Sequence, residues 1–276
     1  MDIKKLYNGV EIPAVGFGTW QLTEGVHEVI EHALQAGYTH IDTAAVYKNE
    51  QEIGEAIKKN GIDRSSLFIT SKVWNNDRGY DNTLRAFETS LSRLQMDYLD
   101  LYLIHWPANP TRENAQQENA DTWRALEELY QAGKVKAIGL SNFLKHHIEA
   151  VLDNATIKPM VNQLEIHPGY LQTETVDYCK KQEIVVEAWS PIGSGRLLQN
   201  ESLLAIASSY GVSVATLCLQ FLLQEGFVVL PKSTNPKNIR YNLHFERFTI
   251  RNDDMEAIKA LPTTGFSGLN PDEINF

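Results

Sequence analysis

The sequence predicts an α/β protein, a (β/α)8 TIM barrel with an N-terminal β-hairpin and extra helices near the C-terminus. Eight short apolar or β-branched runs alternate with longer segments of helical periodicity. Several of these runs are almost continuously apolar, as is typical of parallel strands covered on both faces. No linker rich in Pro, Gly or Ser divides the 276 residues. We therefore expect a single barrel domain over residues 1–276, a size that α/β barrels often reach.

The hairpin is predicted at the start of the chain, where Asn8-Gly9 stands between apolar residues in KKLYNGVEI. This dipeptide is the strongest short signal for a two-residue hairpin turn. A hairpin placed before the first barrel strand is expected to plug the lower end of the barrel.

The eight barrel strands are predicted from the apolar runs. In chain order these are AVGFGTW (14–20), YTHIDTA (38–44), LFITSKVW (67–74), DLYLIHW (100–106), VKAIGLSN (135–142), PMVNQLEIH (159–167), IVVEAWSP (184–191) and FVVLPKS (227–233). The regular alternation of such runs with helical segments predicts a parallel sheet with helices on its outside.

The helices are predicted from apolar spacing and from stop signals. Segments 26–37 and 50–61 each end in a glycine. Segment 120–134 is expected to be capped by Asp121 or Thr122 and to end near a glycine. The long interval before the last strand holds an extra helix at about 201–210 and a regular one at about 213–224.

A doubly wound sheet is the competing architecture. It would usually carry a phosphate loop directly after its first strand. That position reads Gly16-Phe17-Gly18-Thr19-Trp20-Gln21, in which the third glycine of G-x-G-x-x-G is missing. The two glycines are therefore interpreted as room for the backbone at a strand end.

Composition excludes several partners. The net charge of −10 repels phosphate backbones, so no nucleic-acid partner is expected. No apolar run approaches the roughly 18 residues of a membrane span, and the N-terminus lacks a signal-peptide pattern. Cys179, expected to flank a helix, and Cys218, expected to be buried, show no C-x-x-C spacing. We expect a cytoplasmic monomer without a metal ion and without a membrane partner.

Polar side chains stand at the ends of the predicted strands, where TIM barrels carry their chemistry. These residues are Asp42, Lys72, His105, Ser141, Asn142, Gln163, Lys232 and Ser233. Taken singly, each residue has a structural interpretation: Asp42 as a cap of the next turn, Lys72 as a solvated surface charge and His105 as a hydrogen-bonded core histidine. Together they would meet at one rim.

A chemical role for that rim follows from Tyr47, which lies just beyond Asp42. Tyrosine titrates near pH 10, roughly, and an ammonium nearby lowers that pKa. Lys72 can supply the ammonium, and Asp42 can hold Lys72 in place. His105 can orient a carbonyl oxygen while Tyr47 protonates it as hydride arrives at the carbon.

The chain resembles the aldo-keto reductases over essentially its whole length. The motifs that carry the resemblance are GYTHIDTAAVYKNEQEIG (37–54), SKVW (71–74), LYLIHWP (101–107), GKVKAIGLSNF (133–143), VNQLEIHP (161–168) and LPKS (230–233). The resemblance implies that Asp42, Tyr47, Lys72 and His105 are catalytic. The chain looks most like bacterial members that reduce 2,5-diketogluconate, methylglyoxal and similar carbonyls.

The resemblance also implies a bound NADPH, with NADH as a weaker or comparable alternative. It assigns the nicotinamide to Ser141, Asn142, Gln163 and Trp189, the pyrophosphate to Ser190, Ile192 and Ser194, the 2′-phosphate to Lys232, Ser233 and Thr234, and adenine to Asn242. Thr19, Trp20, Asp42 and Asn238 complete the candidate cofactor positions. At Asn238 the family pattern has an arginine, and Arg240 lies two positions on, roughly 200° round a helix.

The substrate site is expected to be open and shallow. Trp20, Trp74 and Trp106 follow strand ends and are predicted to wall it, together with Tyr47 and His105. The segment after Trp106 (PANPTRENAQQENA) and the C-terminal tail (TTGFSGLNPDEINF) are both short. Phe266 or Leu269 of that tail is expected to cover part of the site.

The predicted function is NADPH-dependent reduction of small aldehydes, ketones and α-dicarbonyls. The alternative is a non-catalytic nicotinamide-nucleotide-binding module of the same fold. A barrel glycosidase would need two facing acids, and nothing in the sequence pairs Glu165 with Glu187.

Overall fold

The chain forms a barrel of eight parallel strands, as the sequence predicts. The structure, a computed structural model, describes residues 2–111 and 113–274. The barrel strands are β3 (Phe17–Gly18), β4 (His40–Asp42), β5 (Phe68–Val73), β6 (Leu99–Ile104), β7 (Val135–Ser141), β8 (Val161–Glu165), β9 (Val185–Trp189) and β10 (Val228–Leu230). Seven of the predicted runs contain one strand each and the fourth overlaps β6, which begins one residue earlier at Leu99, so all eight strand predictions are confirmed.

Closure of the barrel explains the two early glycines. Val15 bridges Val229 in parallel, and the Gly16 backbone N–H donates to Val229 O at 2.9 Å. A Cβ atom on Gly16 would lie 2.6 Å from both the His40 ring and the Leu230 side chain. A Cβ on Gly18 would lie 3.1 Å from Leu230 O. These glycines therefore give the closing strands room, which agrees with the interpretation from the sequence.

Helices surround the barrel. They are α1 (Val26–Ala36), α2 (Glu50–Asn60), α3 (Tyr80–Leu94), α4 (Ala115–Gln131), α5 (Lys145–Leu152), α6 (Thr173–Lys181), α7 (Glu201–Ser209), α8 (Val214–Gln224), α9 (Pro236–His244) and α10 (Asn252–Lys259). Gly37 and Gly61 end α1 and α2 in the left-handed conformation, with φ of 96° and 65°. The extra helix is confirmed as α7, and α8 follows at the predicted place.

The start of α4 was predicted too late. The helix begins at Ala115, so Asp121 and Thr122 lie inside it and do not cap it. The polar residues of its first two turns have good helix propensity but no apolar periodicity, so the sequence pattern does not show where the helix begins. The Thr122 hydroxyl has another use: it donates to Glu118 O and accepts from the Gly79 N–H at 2.9 Å, at the start of α3.

The N-terminal hairpin is present, but its turn differs from the predicted one. Strands β1 (Ile3–Lys5) and β2 (Glu11–Pro13) pair in antiparallel register. The Gly9 N–H donates to Leu6 O, and Gly9 has a φ of 91°, whereas Asn8 is not among the residues with positive φ. A two-residue turn of type I′ needs positive φ at both central residues. The loop therefore has three residues, with Gly9 supplying the left-handed position.

The hairpin contacts the lower end of the barrel. Asn8 Nδ2 donates to Lys136 O at 3.0 Å, and the Tyr7 hydroxyl donates to Lys158 O. Both carbonyls precede or begin a barrel strand, at the end opposite the predicted site.

Cys179 is buried within α6 instead of flanking a helix, and Cys218 is buried in α8 as predicted; both thiols are free. In the ranges that the structure describes, no single helix is long and apolar enough to cross a membrane, although the bent pair α7 and α8 passes that test of length and composition together.

Candidate active site

The four residues predicted to be catalytic meet at the C-terminal rim of the barrel. Asp42 ends β4, Lys72 lies near the end of β5, and His105 follows β6. Tyr47 ends a short 3-10 turn that follows β4. Because the carboxyl ends of parallel strands lie at one edge, the fold brings these side chains together.

Lys72 is the centre of this group. Its side chain is completely buried, and its Nζ lies 2.8 Å from Asp42 Oδ2 and 2.9 Å from Thr43 O. The third direction of the ammonium points to the Tyr47 hydroxyl oxygen at 3.5 Å. Burial lowers the pKa of Lys72, but Asp42 and Tyr47 outweigh burial, and the net shift is upward. The ammonium is therefore charged and fixed in place.

Tyr47 is half-buried, and its hydroxyl oxygen lies 3.5 Å from Lys72 Nζ. Burial raises the pKa of Tyr47 to about 12, while Lys72 opposes this shift. The sequence predicted the sign of the lysine effect, but burial is the larger effect and the net shift is upward. The phenol is therefore protonated at neutral pH and has a proton to donate.

His105 lies between two aromatic rings. Its ring centroid is 5.5 Å from that of Tyr47 and 5.1 Å from that of Trp74. Burial, with Lys72 and Arg78 nearby, lowers its pKa well below the usual range. The imidazole is therefore neutral and keeps one N–H group as a hydrogen-bond donor.

Arg78 and Asn49 are buried residues of this region that sequence reasoning missed. Arg78 donates to the Trp106 and Pro107 carbonyls at 3.0 and 2.7 Å and fixes the chain after His105. Asn49 donates to Thr19 O at 3.1 Å. Both stand in polar loop sequence, where no local signal distinguishes them from solvated residues.

Four residues predicted to hold the nicotinamide form a second group on the same rim. The Trp189 indole N–H donates to Asn142 Oδ1 at 2.8 Å. Asn142 Nδ2 donates to His105 O at 3.0 Å and to Ser141 Oγ at 3.1 Å. Ser141 in turn donates to Gln163 O at 3.1 Å. This chain of hydrogen bonds fixes the orientation of each polar group.

Gln163 joins the two groups, because its Nε2 donates to Asp42 Oδ1 at 2.9 Å. Thr19 adds to the junction: its N–H and hydroxyl both donate to Asp42 O, at 3.1 and 2.9 Å. The Trp20 ring meets the Trp189 ring edge-on, with 5.7 Å between centroids.

The three predicted wall tryptophans differ in exposure. Trp20 is 38% exposed and Trp74 is half-buried, so both present ring surface. Trp106 is only 5% exposed and offers little surface for a ligand.

The loop after β9 contains the residues predicted to lie along the pyrophosphate. Ser190 and Ser194 both have positive φ, 53° and 52°, and their hydroxyl oxygens are 2.7 Å apart. Ile192 between them is half-buried. The backbone of this loop therefore makes tight turns directly after β9, with the Gly193 N–H donating to Ser190 O at 2.8 Å.

The predicted phosphate end lies between β10 and α9. Lys232 is exposed, Thr234 is exposed, and Ser233 Oγ accepts from the Asn235 N–H at 3.1 Å. Asn238 is exposed in the first turn of α9, whereas Asn242 is 8% exposed. Lys232 pairs with no acid in residues 2–111 and 113–274, and a helix N-terminus lies beside it, which suits an anion.

The C-terminal tail crosses the end of β8. Phe266 stacks on Tyr170, with centroids 4.4 Å apart, and Ser267 donates to both oxygens of Glu165, at 2.9 and 2.6 Å. Leu269 is half-buried. The last two residues of the tail, like Arg112 in the segment after Trp106, lie outside the described residues.

The two acids considered for a glycosidase have other partners. Glu165 accepts hydrogen bonds from Ser267 of the tail, and Glu187 accepts one from Gln163, so these acids do not form the facing pair of a glycosidase.

Comparisons with known proteins identify a family for this chain. Residues 14–262 match the model of the aldo/keto reductase family. The glyoxal reductase of Bacillus subtilis (strain 168) is 50% identical over 277 aligned residues, which cover 100% of this chain and 98% of that protein.

Solved structures agree as well. An aldo-keto reductase from a Medee basin deep-sea metagenome library has a TM-score of 0.92 at 40% identity, covering 99% of this chain and 100% of that one. A mutant of Gox0644 in complex with NADPH also has a TM-score of 0.92, at 38% identity, covering 100% of this chain and 99% of the other. The chain belongs to the aldo/keto reductase family and is an NAD(P)H-dependent oxidoreductase.

Proposed function

We propose that this protein reduces small aldehydes, ketones and α-dicarbonyls with NADPH, and that Tyr47 is the general acid. The observation that carries the proposal is the contact of Lys72 with both Asp42 and Tyr47, at 2.8 and 3.5 Å. Bound NADPH supplies the hydride. Tyr47 gives its hydroxyl proton to the substrate oxygen, and the Lys72 ammonium stabilises the phenolate that remains. The neutral His105 ring orients the carbonyl with its N–H group.

The residues of the rim fit the cofactor. Gln163 uses its amide nitrogen inside the protein, and its amide oxygen accepts from no described residue, so the oxygen is available to a carboxamide N–H. At the other end, Lys232 is an exposed cation beside the start of α9. The family uses NADPH, and a solved relative is named as an NADPH complex.

The substrate class is expected to be small and polar. The Bacillus subtilis relative is named a glyoxal reductase, and this chain has short segments around the rim. We expect methylglyoxal and glyoxal to be reduced, with KM values near or above about 1 mM. Loss of NADPH absorbance on mixing protein, cofactor and each carbonyl measures this.

A panel that contains a steroid ketone makes the substrate test decisive. A micromolar KM for the steroid together with inert small dicarbonyls would contradict the proposed substrate class. No turnover with any carbonyl, in a protein that binds NADPH, would instead favour the alternative of a non-catalytic nucleotide-binding module.

The preference for NADPH over NADH is expected to be modest, because Asn238 stands where relatives have an arginine. Asn238→Arg restores a planar cation in the first turn of α9. A hydrogen bond to a charged group contributes about 1.5–3 kcal/mol, which is about 10- to 100-fold in affinity. The Kd for NADPH should therefore fall by that range while the Kd for NADH changes little. Quenching of tryptophan fluorescence at fixed ionic strength gives both constants.

Asn238→Gln is the matched control, because it lengthens the side chain without adding charge. Equal tightening of NADPH and NADH in Asn238→Arg would mean that the new side chain acts on adenine. If neither constant changes, Arg240→Gln will show whether the exposed Arg240 already serves the 2′-phosphate.

A further inference from the structure

One amide nitrogen is shared by two buried carboxyl groups beneath the rim. Gln163 Nε2 donates to Asp42 Oδ1 and to Glu187 Oε2, each at 2.9 Å. Asp42 is 4% exposed and Glu187 is fully buried. The register of β8 and β9 places Gln163 directly beside Glu187. A primary amide has two N–H groups and one oxygen, so both donors of Gln163 are used inside the barrel.

We propose that Glu187 is a positioning residue for cofactor binding: it holds the second N–H group of Gln163, so that the amide oxygen alone is offered to the carboxamide of the nicotinamide. Without Glu187, one buried N–H group of Gln163 would lack an acceptor, which favours other orientations of the side chain. This role rests on the proposed function, because the nicotinamide must lie against Gln163.

The groups around Glu187 favour the uncharged form of its carboxyl group. The charged or titratable groups that face it in the described part of the chain are Asp42 and His40 from β4 and Lys72 from β5. Its neighbours on β8 and β10 are the amide of Gln163 and the apolar Val228. Lys72 is already paired with Asp42 at 2.8 Å.

His40 does not supply a positive charge beside Glu187. Its Nε2 lies 3.8 Å from Glu187 Oε1 and 3.2 Å from Thr70 Oγ1. Burial lowers the pKa of His40 to about 4, so the ring is neutral at pH 7. Burial and the Asp42 charge together raise the pKa of Glu187 to about 8. Glu187 is therefore protonated at neutral pH and ionises slightly above it.

The ionisation of Glu187 has a definite effect on the cofactor. A new carboxylate near Gln163 attracts the positive ring of NADP⁺ and leaves the neutral ring of NADPH almost unaffected. The ratio Kd(NADPH)/Kd(NADP⁺) should therefore rise as the pH passes about 8. Ionisation of the shared phosphates cancels in this ratio. Tyr47 and His105 do not ionise in this pH range, because their pKa values are about 12 and far below 6.5.

The experiment measures both Kd values by tryptophan fluorescence between about pH 6 and pH 9.5, in three variants and the wild type. We expect the ratio to rise about fivefold or more in the wild type and to stay flat in Glu187→Gln, which keeps an acceptor oxygen but cannot ionise. Glu187→Leu, which removes the acceptor, should bind NADPH about 2- to 10-fold more weakly than Glu187→Gln. Glu127→Gln, at a buried acid of α4, should behave as the wild type.

A second readout needs no cofactor. The unfolded chain releases the Glu187 proton at an ordinary pKa near 4.5, whereas the folded chain keeps it up to about 8. Stability from this group is present below the lower value and is lost as the pH rises through the upper one. The difference in Tm between Glu187→Gln and the wild type should therefore shift progressively in favour of Glu187→Gln as the pH rises from about 5 to about 8.

The outcomes separate this role from the proposed function. Equal NADPH affinity in Glu187→Leu and Glu187→Gln would overturn the positioning role. The same rise of the ratio in Glu187→Gln, or a Tm difference that does not depend on pH, would overturn the assignment of the pH effect to Glu187. A wild type that binds no nicotinamide nucleotide would overturn the proposed function and this role together.

Discussion

Replacing Tyr47 with phenylalanine is expected to abolish carbonyl reduction while leaving NADPH binding nearly unchanged. The phenol is the proposed proton donor, and a positioned general acid contributes about 10²–10⁴-fold to a rate. The pKa of Tyr47, raised to about 12 by burial, keeps the donor protonated across the accessible pH range. A fall of kcat by at least about 100-fold is therefore expected in steady-state assays with methylglyoxal.

Tyr102→Phe is the matched control for this variant. Tyr102 is fully buried on β6, and its hydroxyl has no hydrogen-bond partner among the described residues. Removing that oxygen should leave kcat unchanged. If Tyr47→Phe retains more than about a tenth of kcat, another group supplies the proton, and His105, whose ring centroid lies 5.5 Å from that of Tyr47, is the first candidate to test.

The sequence predicts the barrel well because its signals are local. A run such as DLYLIHW identifies a strand by itself, and a terminal glycine ends a helix wherever it stands. The predicted two-residue turn at Asn8-Gly9 was wrong because the same dipeptide also occurs in hairpin loops of three residues. The start of α4 was wrong because polar residues with good helix propensity extend a helix without an apolar pattern.

The candidate site is predicted less completely, because its electrostatics depend on packing. The sequence identifies Lys72 as the cation near Tyr47, but the depth of burial, which reverses the net pKa shift, follows from the whole rim. Glu187 could be found as an acid within an apolar strand run. Its role needs the strand register, which places it beside Gln163, and the ion pair that the nearby Lys72 forms with Asp42. Arg78 could not be predicted for the same reason: it stands in polar loop sequence, and only the folded structure shows that its side chain is buried against the Trp106 and Pro107 carbonyls.

Lys72→Met is expected to cripple both turnover and stability. Its ammonium is fully buried and forms an ion pair with Asp42 at 2.8 Å. Removing one partner of a buried pair leaves an uncompensated charge, at a cost of about 3–5 kcal/mol in the free energy of unfolding. Turnover should fall because the phenolate of Tyr47 loses its stabilising cation. Urea unfolding and steady-state kinetics measure the two effects.

The double variant Asp42→Asn/Lys72→Met separates these effects, because it removes both charges and keeps an oxygen that can accept from Gln163. Neutral groups of similar size often replace a buried ion pair without loss of stability. We therefore expect the double variant to recover most of the free energy of unfolding that Lys72→Met loses, but none of the activity. Recovery of both would mean that Lys72 acts only through folding. A folded Lys72→Met with full activity would contradict any role of the ammonium beside Tyr47.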